Sequence, residues 1–513
     1  MRPRRLRIPS APAVYRGEPP CREYVFECRT SFTTGYAMTT VSAVVLSRAL
    51  PSATRQCPST TADYGKGERS LRQQVRRDLI HLAWPTALEQ LLGLATQMVD
   101  MAFVGRVGAY AVAAVGVATQ PLWLTFGLAG ALGVGIIAVV SRLAGARDDE
   151  GVERAASTAS WLGLGLALLL GAGLYFGAPW IVKVMGAPPD VYPHGVIYLQ
   201  VLVPGLIGHY WFSAMSAALR AVGETRIPML LALVANAVNV VLDWLLIFGN
   251  LGFPALGLAG AALASSVARF TEAAGLLVVL LVRSGPVALR WRTLWRFSPD
   301  LSARIVRVAV PSAVERSAST LSLVVFAILI NRLGTVAIAT QQIAYVVEDL
   351  IWLVAFGLGT SCATLIGQSL GAQDPERARL AMLEGLRVGA AFTLTVAASF
   401  LLMPGVYMRI FTTDAQVIAL GTMALRVAAA ADIPMGLVLI LSGGLQGAGD
   451  TRAAAVITLV GSWGVRLTLA YLMIDVLGWG LYGAWTAAAC DWALRLALFW
   501  NRFARGRWKE MAV

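Results

Sequence analysis

The sequence predicts an all-α polytopic membrane protein whose twelve transmembrane helices form two six-helix bundles related by an internal repeat. Three observations carry that prediction. The 513-residue chain is 57% hydrophobic and only 14% charged, too apolar for a soluble core of this size. Apolar runs long enough to span a bilayer recur about twelve times from residue 79 onward, separated by short polar loops. The chain also repeats itself at one fixed offset, set out below.

Residues 1–78 form a basic N-terminal tail rich in Arg, Ser, Thr and Pro, read as disordered and cytoplasmic. Its one apolar run, Val41 to Leu46, is shorter than the core of a signal peptide. Met38 is a candidate true initiator, which would leave residues 1–37 outside the natural protein. The expected spans are 80–104, 110–141, 155–181, 192–218, 228–250 and 257–283, then 304–331, 337–367, 381–407, 415–442, 454–476 and 480–503. These give an N-terminal bundle over 79–283, a polar linker with several Trp over 284–303, a C-terminal bundle over 304–505 and a short tail over 506–513. With the N-terminus inside, the inner loops collect Arg142, Arg147, Arg154, Arg220, Arg226, Arg377, Arg379 and Arg452, together with the linker arginines. The outer loops hold little beyond Arg106, Lys183, Arg332 and Arg409. This asymmetry places both termini in the cytoplasm of a protein of the cell's inner or plasma membrane. It also accounts for the net charge of +13 without a nucleic-acid partner. The five cysteines are scattered and suggest neither a disulfide framework nor a metal site.

Adding 226 to a residue number carries Pro85 to Pro311, Glu89 to Glu315, Gly108 to Gly334, Gly145 to Gly371, Asp148 to Asp374, Gly223 to Gly449, Thr225 to Thr451 and Arg226 to Arg452. Each copy has six spans, an even number, so both enter the membrane the same way round. A pseudo-two-fold along the membrane normal follows, with a binding cavity between the bundles.

A carboxylate at membrane depth is expensive, on the order of 3 kcal/mol even on lenient scales, and usually faces a polar cavity. Glu89 and Asp100 are eleven residues apart on the first span, about three turns, and so share a face. On the fifth span Asn236, Asn239 and Asp243 share another. An Asn one turn before an Asp can tune a protonatable carboxyl or supply oxygen to a small cation. Structural acids and interhelical polar contacts are the alternatives. Glu89 and its repeat partner Glu315, flanking a central cleft, are candidate substrate-cavity residues, as are Asp432 and His209. Glu348 and Asp349 fall within the eighth span without an assignable role. The string Gly447-Ala448-Gly449-Asp450 fits the GxGD pattern of intramembrane proteases, but its repeat counterpart Val222-Gly223-Glu224 marks it as a loop element.

Residues Val99 to Gly105 on span one, Asn239 to Asp243 on span five, and the paired loops Gly223-Glu224-Thr225-Arg226 and Gly449-Asp450-Thr451-Arg452 together resemble the multidrug and toxic compound extrusion (MATE) family. The resemblance covers residues 80–505. It implies ion-coupling roles for Asp100, Asn239 and Asp243. Some branches of the family also use a Glu on span seven and an Asp on span ten. This chain has Ser319 and Met435 at those places, which disfavours a sodium site in the C-terminal bundle. The expected function is a cation-coupled antiporter, driven by protons or sodium, that exports amphipathic, cationic organic compounds by alternating access. Its partners are then a small-molecule substrate and the lipid bilayer, it acts as a monomer, and it has no catalytic residues, no metal and no cofactor beyond the coupling ion. A lipid or lipid-linked oligosaccharide flippase is the alternative. It calls for a basic cavity, whereas the deep charges here are mainly acidic, Arg466 apart.

Overall fold

The computed structural model describes residues 61–282, 287 and 296–511, with side chains described from residue 69. Among these residues run twelve long helices: α1 (Thr61–Gly105), α2 (Ala109–Gly145), α3 (Asp149–Val184), α4 (Tyr192–Ala221), α5 (Arg226–Phe248), α6 (Leu258–Val282), α7 (Pro299–Asn331), α8 (Thr335–Gly371), α9 (Pro375–Leu402), α10 (Ala415–Gly447), α11 (Thr451–Val476) and α12 (Gly480–Ala504). A short helix, Pro404–Phe411, joins α9 to α10. Ten of the twelve, α2 to α11, are long and apolar enough to cross a membrane. The other two fall short of the expected twelve because of the charge they carry. Glu89 and Asp100 lie on α1 behind a polar N-terminal half, and Asp491, Arg495 and Arg502 lie on α12. Large apolar side chains such as Leu169, Phe176 and Trp180 are exposed on α3, as suits a helix facing lipid.

Three boundaries differ from expectation. Helix α1 begins at Thr61, well inside the segment read as a disordered tail, and its side chains Val75 and Leu79 are fully buried. Residues 1–60, including Met38, lie outside the described residues. Helix α7 starts inside the expected linker because Ser298 caps it, accepting from the Leu301 N–H, and Pro299 takes the first helical turn. The rest of that linker lies almost wholly outside the described residues. At the C-terminus Trp508 is buried and stacks on Phe503 at 5.5 Å, so residues 506–511 pack against the bundle rather than trail from it.

The repeat extends to backbone geometry. Arg147 and Gln373, 226 residues apart, both take the left-handed conformation, with φ of 58° and 57°. Each is followed by an aspartate that caps the next helix. Asp148 accepts from Gly151 N at 2.8 Å, and Asp374 from Arg377 N at 2.9 Å. Each half also receives part of the other's first long helix. Val75 and Leu79 of α1 pack with Leu358, Cys362 and Leu441 of the second half, while Leu301 and Ile305 of α7 pack with Ile136, Met215 and Leu219 of the first. The two bundles drawn from sequence are therefore interlocked at one end.

That end is the basic one, and there the backbones of the two halves touch. A Cβ on Gly145 would overlap the Gln368 carbonyl, and one on Gly371 would overlap the Arg142 carbonyl. The two contacts are copies of each other, since 142 and 368, like 145 and 371, differ by 226. Hydrogen bonds finish the seal: Arg142 Nη2 donates to the Ala448 carbonyl at 2.9 Å, and Gln368 Nε2 to that of Ala221 at 2.8 Å. Only glycine permits this approach, so Gly145→Val and Gly371→Val should each hold this end open. In a cysteine-free background with a single cysteine at Ala144, labelling by an impermeant maleimide from the basic side should rise at least about tenfold, the effect of a ~1.4 kcal/mol penalty on the sealed state. Unchanged labelling would mean that the seal does not open in this way.

Candidate functional site

The first half places Asp100 of α1 against Asn239 and Asp243 of α5. With its amide turned to satisfy both ends, Asn239 donates to Asp100 Oδ1 at 2.8 Å while its oxygen accepts from the Ser265 backbone N–H at 3.3 Å. Asp243 is fully buried, and neither carboxyl oxygen meets a donor. It lies within hydrogen-bonding reach of Asp100. Two carboxyls can bond to each other only when one carries a proton. Arg269 of α6 and Tyr198 of α4 lie within electrostatic reach of Asp100, and the Arg269 guanidinium sits 5.4 Å from the centre of the Phe126 ring. At the offset of 226 the second half has Phe326, Val465 and Leu469 in place of Asp100, Asn239 and Asp243, so this cluster belongs to the first half alone.

The expected cavity residues are placed less simply. Glu89 is held in a fork by Arg220 of α4, with Nη2 at 2.6 and 2.8 Å from its two oxygens. Glu315 is held at the equivalent place by Gln446 at 2.9 Å and by Thr458 at 3.0 Å. Arg220 and Gln446 are themselves repeat partners, so the fold conserves the contact and changes its charge. Both glutamates are thus engaged within the protein. Neighbouring Arg316 packs against α2, where Gly130 leaves room for its guanidinium. His209 Nδ1 lies 3.2 Å from Glu272 Oε2, with Phe126 edge-on at 5.6 Å. Asp432 is fully buried rather than lining an open cavity, and it lies within hydrogen-bonding reach of Glu348. Met435 belongs to an apolar core, as expected for a position without an acid.

Several site residues escaped the sequence reading. Ser265, Arg269 and Glu272 follow one another on α6 at spacings of four and three, so helical periodicity alone could have put them on one face. Glu348 is placed on its span without a role by sequence alone, because the partner that gives it one, Asp432, lies on another helix. Asp491 and Arg495, one turn apart on α12, form a fully buried ion pair at 2.6 and 2.7 Å, joined by Arg466 of α11 at 2.9 Å.

The family model for MatE matches residues 85–245 and again residues 311–472, two copies whose starts are 226 residues apart. The chain belongs to the MATE family. Among similar proteins of this MATE-family efflux transporter is a probable multidrug resistance protein NorM of Thermotoga maritima, 29% identical over 452 residues that cover 86% of this chain and 94% of the relative. The multidrug resistance protein PmpM of Pseudomonas aeruginosa is 26% identical over 84% of this chain and 92% of its own. Among solved structures, an outward-facing multidrug resistance MATE family transporter superposes with a TM-score of 0.77 over 87% of this chain and 99% of that one, at 22% identity. A MATE crystal structure in a bent conformation gives 0.79 at 23% identity, over 87% of this chain and 98% of that one. These two likenesses bear on the fold.

The Glu89–Arg220 pair joins α1 to α4. Glu89→Ala leaves a mostly buried guanidinium unpaired and should cost about 2 kcal/mol, less than a fully buried pair because both groups keep some solvent contact. Arg220→Gln should be milder, since Gln446 fills that place in the other half. Thermal unfolding of the purified protein should rank wild type above Arg220→Gln above Glu89→Ala. The reverse order of the two variants would show that the contact is not shared between the halves.

Proposed function

We propose that this MATE transporter is a proton-coupled antiporter that exports amphipathic organic compounds, with Asp100 and Asp243 carrying the driving proton. The observation that supports it is the pair of facing carboxyls, one of them fully buried with no donor among the described residues. In the protonated pair the charge of one carboxylate is spread over a short hydrogen bond. In the deprotonated pair two like charges repel inside a poorly screened interior. The two states favour different helix positions of α1 against α5, and substrate binding biases the same equilibrium. Asn239, with its N–H turned toward Asp100 and its oxygen toward Ser265, ties the pair to α6.

The names of the relatives, multidrug resistance proteins, support a broad range of organic substrates. A preference for cationic ones rests on Asp100, which is half-buried, more than on Glu89 and Glu315, which their own halves engage. The flippase alternative needs a free basic cavity for a pyrophosphate. Arg269, Arg316 and Arg466 each lie within electrostatic reach of a carboxylate, which speaks against such a surplus. On the positive-inside reading both termini are cytoplasmic, the sealed end faces the cytoplasm, and the single chain acts as a monomer in the cell membrane.

Asp100→Asn keeps the shape and removes the charge change. The variant should express and bind substrate, since an amide resembles a protonated acid, yet lose gradient-driven efflux by at least about tenfold, because a proton that no longer distinguishes two conformations cannot shift their populations. The measurement is substrate movement in proteoliposomes under an imposed pH gradient and, separately, a sodium gradient, beside a direct binding assay. Efflux at the wild-type rate in the pH gradient would remove Asp100 from the mechanism, and wild-type efflux driven by sodium alone would remove the proton.

A further inference from the structure

The second half, which lacks any counterpart of Asp100 and Asp243, buries a charge cluster of its own. Asp491 of α12 is fully buried and is bound by both nitrogens of a fork from Arg495, at 2.6 and 2.7 Å. That fork meets the needs of the carboxylate. Arg466 of α11 is therefore a second cation on an acid that has one already. Its Nε stands 2.9 Å from Asp491 Oδ2 but off the hydrogen-bond direction, and its Nη2 meets no acceptor. Arg466 is 6% exposed, so water is a poor substitute. Its guanidinium lies over the rings of Trp492 at 5.1 Å and Phe326 at 5.8 Å, contacts that attract a cation without fixing its direction. The backbone beneath it, Val460–Leu467, is π-helical, a wide turn that stores an extra residue and recurs at functional positions.

Within electrostatic reach of Arg466 is a second acid pair, Glu348 of α8 and Asp432 of α10, mutually in hydrogen-bonding range. Asp432 is fully buried, and neither of its oxygens meets a donor. Tyr345 and Asp349 on α8 face the same cluster, and Glu315 of α7 faces Arg495. The charges can be counted. Arg466 and Arg495 balance Asp491 and a Glu348–Asp432 pair that shares one proton. Loss of that proton leaves one negative charge in excess, sited on the pair unless a cation moves toward it.

We propose that Arg466 is that cation: a tethered guanidinium that exchanges between Asp491 and the Glu348–Asp432 pair, supplying from within the chain the positive charge that would otherwise come from a bound monovalent ion. The proposal deepens the antiport reading by giving the second half an internal counter-ion, and it rests on that reading for its role in transport. It explains why Asp491 holds two arginines when one satisfies it.

The test is thermal unfolding of the purified full chain in sodium chloride and in choline chloride at equal ionic strength, which needs no transported substrate. Wild type and Arg466→Lys, which both keep the charge, should melt at the same temperature in the two salts. Arg466→Gln should be stabilised by sodium by about 5 °C, as a new ion site would be. Adding Asp432→Asn to Arg466→Gln should abolish that shift. No sodium shift in Arg466→Gln, or an equal shift in wild type, overturns the proposal. If Arg466→Gln alone yields no folded protein, the added Asp432→Asn should recover it by restoring charge balance, and failure to recover it overturns the proposal as well. Failure here leaves the Asp100 mechanism standing, and failure of the Asp100 efflux assay leaves this salt dependence to be read on its own.

Discussion

A charge carried into the interior of a membrane bundle must find its partner inside the protein, because neither water nor lipid will compensate it. Most of the described polar architecture follows from that constraint. Glu89 meets Arg220, Glu315 meets Gln446 and Thr458, His209 meets Glu272, and Asp491 meets two arginines. Against this background Asp243 and Asp432 stand out. Each is fully buried and, among the described residues, meets no hydrogen-bond donor, with another carboxyl in hydrogen-bonding reach. Buried polar groups without a donor are rare enough to call for an explanation, and a carboxyl that gains and loses a proton supplies one.

The duplication supplies a frame that the two halves use differently. Loop geometry, helix caps and the glycine contacts at the basic end are copied almost atom for atom, as the shared conformation of Arg147 and Gln373 shows. Those features set how the halves meet at the basic end. The interior charges are not copied. Where the first half has Asp100, Asn239 and Asp243, the second has Phe326, Val465 and Leu469, and its own acids and arginines enter from α8, α10, α11 and α12. A gate that must close can be symmetric, whereas ion coupling needs one site whose affinity differs between the two states.

The crossing of α1 and α7 between the halves ties this seam to the interior. Because α1 passes through the core of the second half around Val75 and Leu79 and ends beside α5 of the first, a shift of Asp100 relative to Asp243 would act on a helix rooted across the interface. Pro85 and Pro311 lie within α1 and α7 near the point where each helix leaves the other half, where a proline removes one helical hydrogen bond and lets the two segments bend independently.

Hydropathy, the spacing of apolar runs and the offset of 226 determined the helical class and the duplication, because a membrane span announces itself in consecutive residues and a repeat announces itself in numbering, while the family resemblance lay in a few local motifs. Asp100, Asn239 and Asp243 were legible for a similar reason: each is a polar group on an apolar helix, where its cost is local. What only the tertiary structure decided was partnership. Whether Glu89 faces substrate or Arg220, whether Asp432 lines a cavity or meets Glu348, and where α1 and α7 cross between halves all depend on which faces of distant helices come together. Long-range packing settles that, and single-helix periodicity carries no record of it.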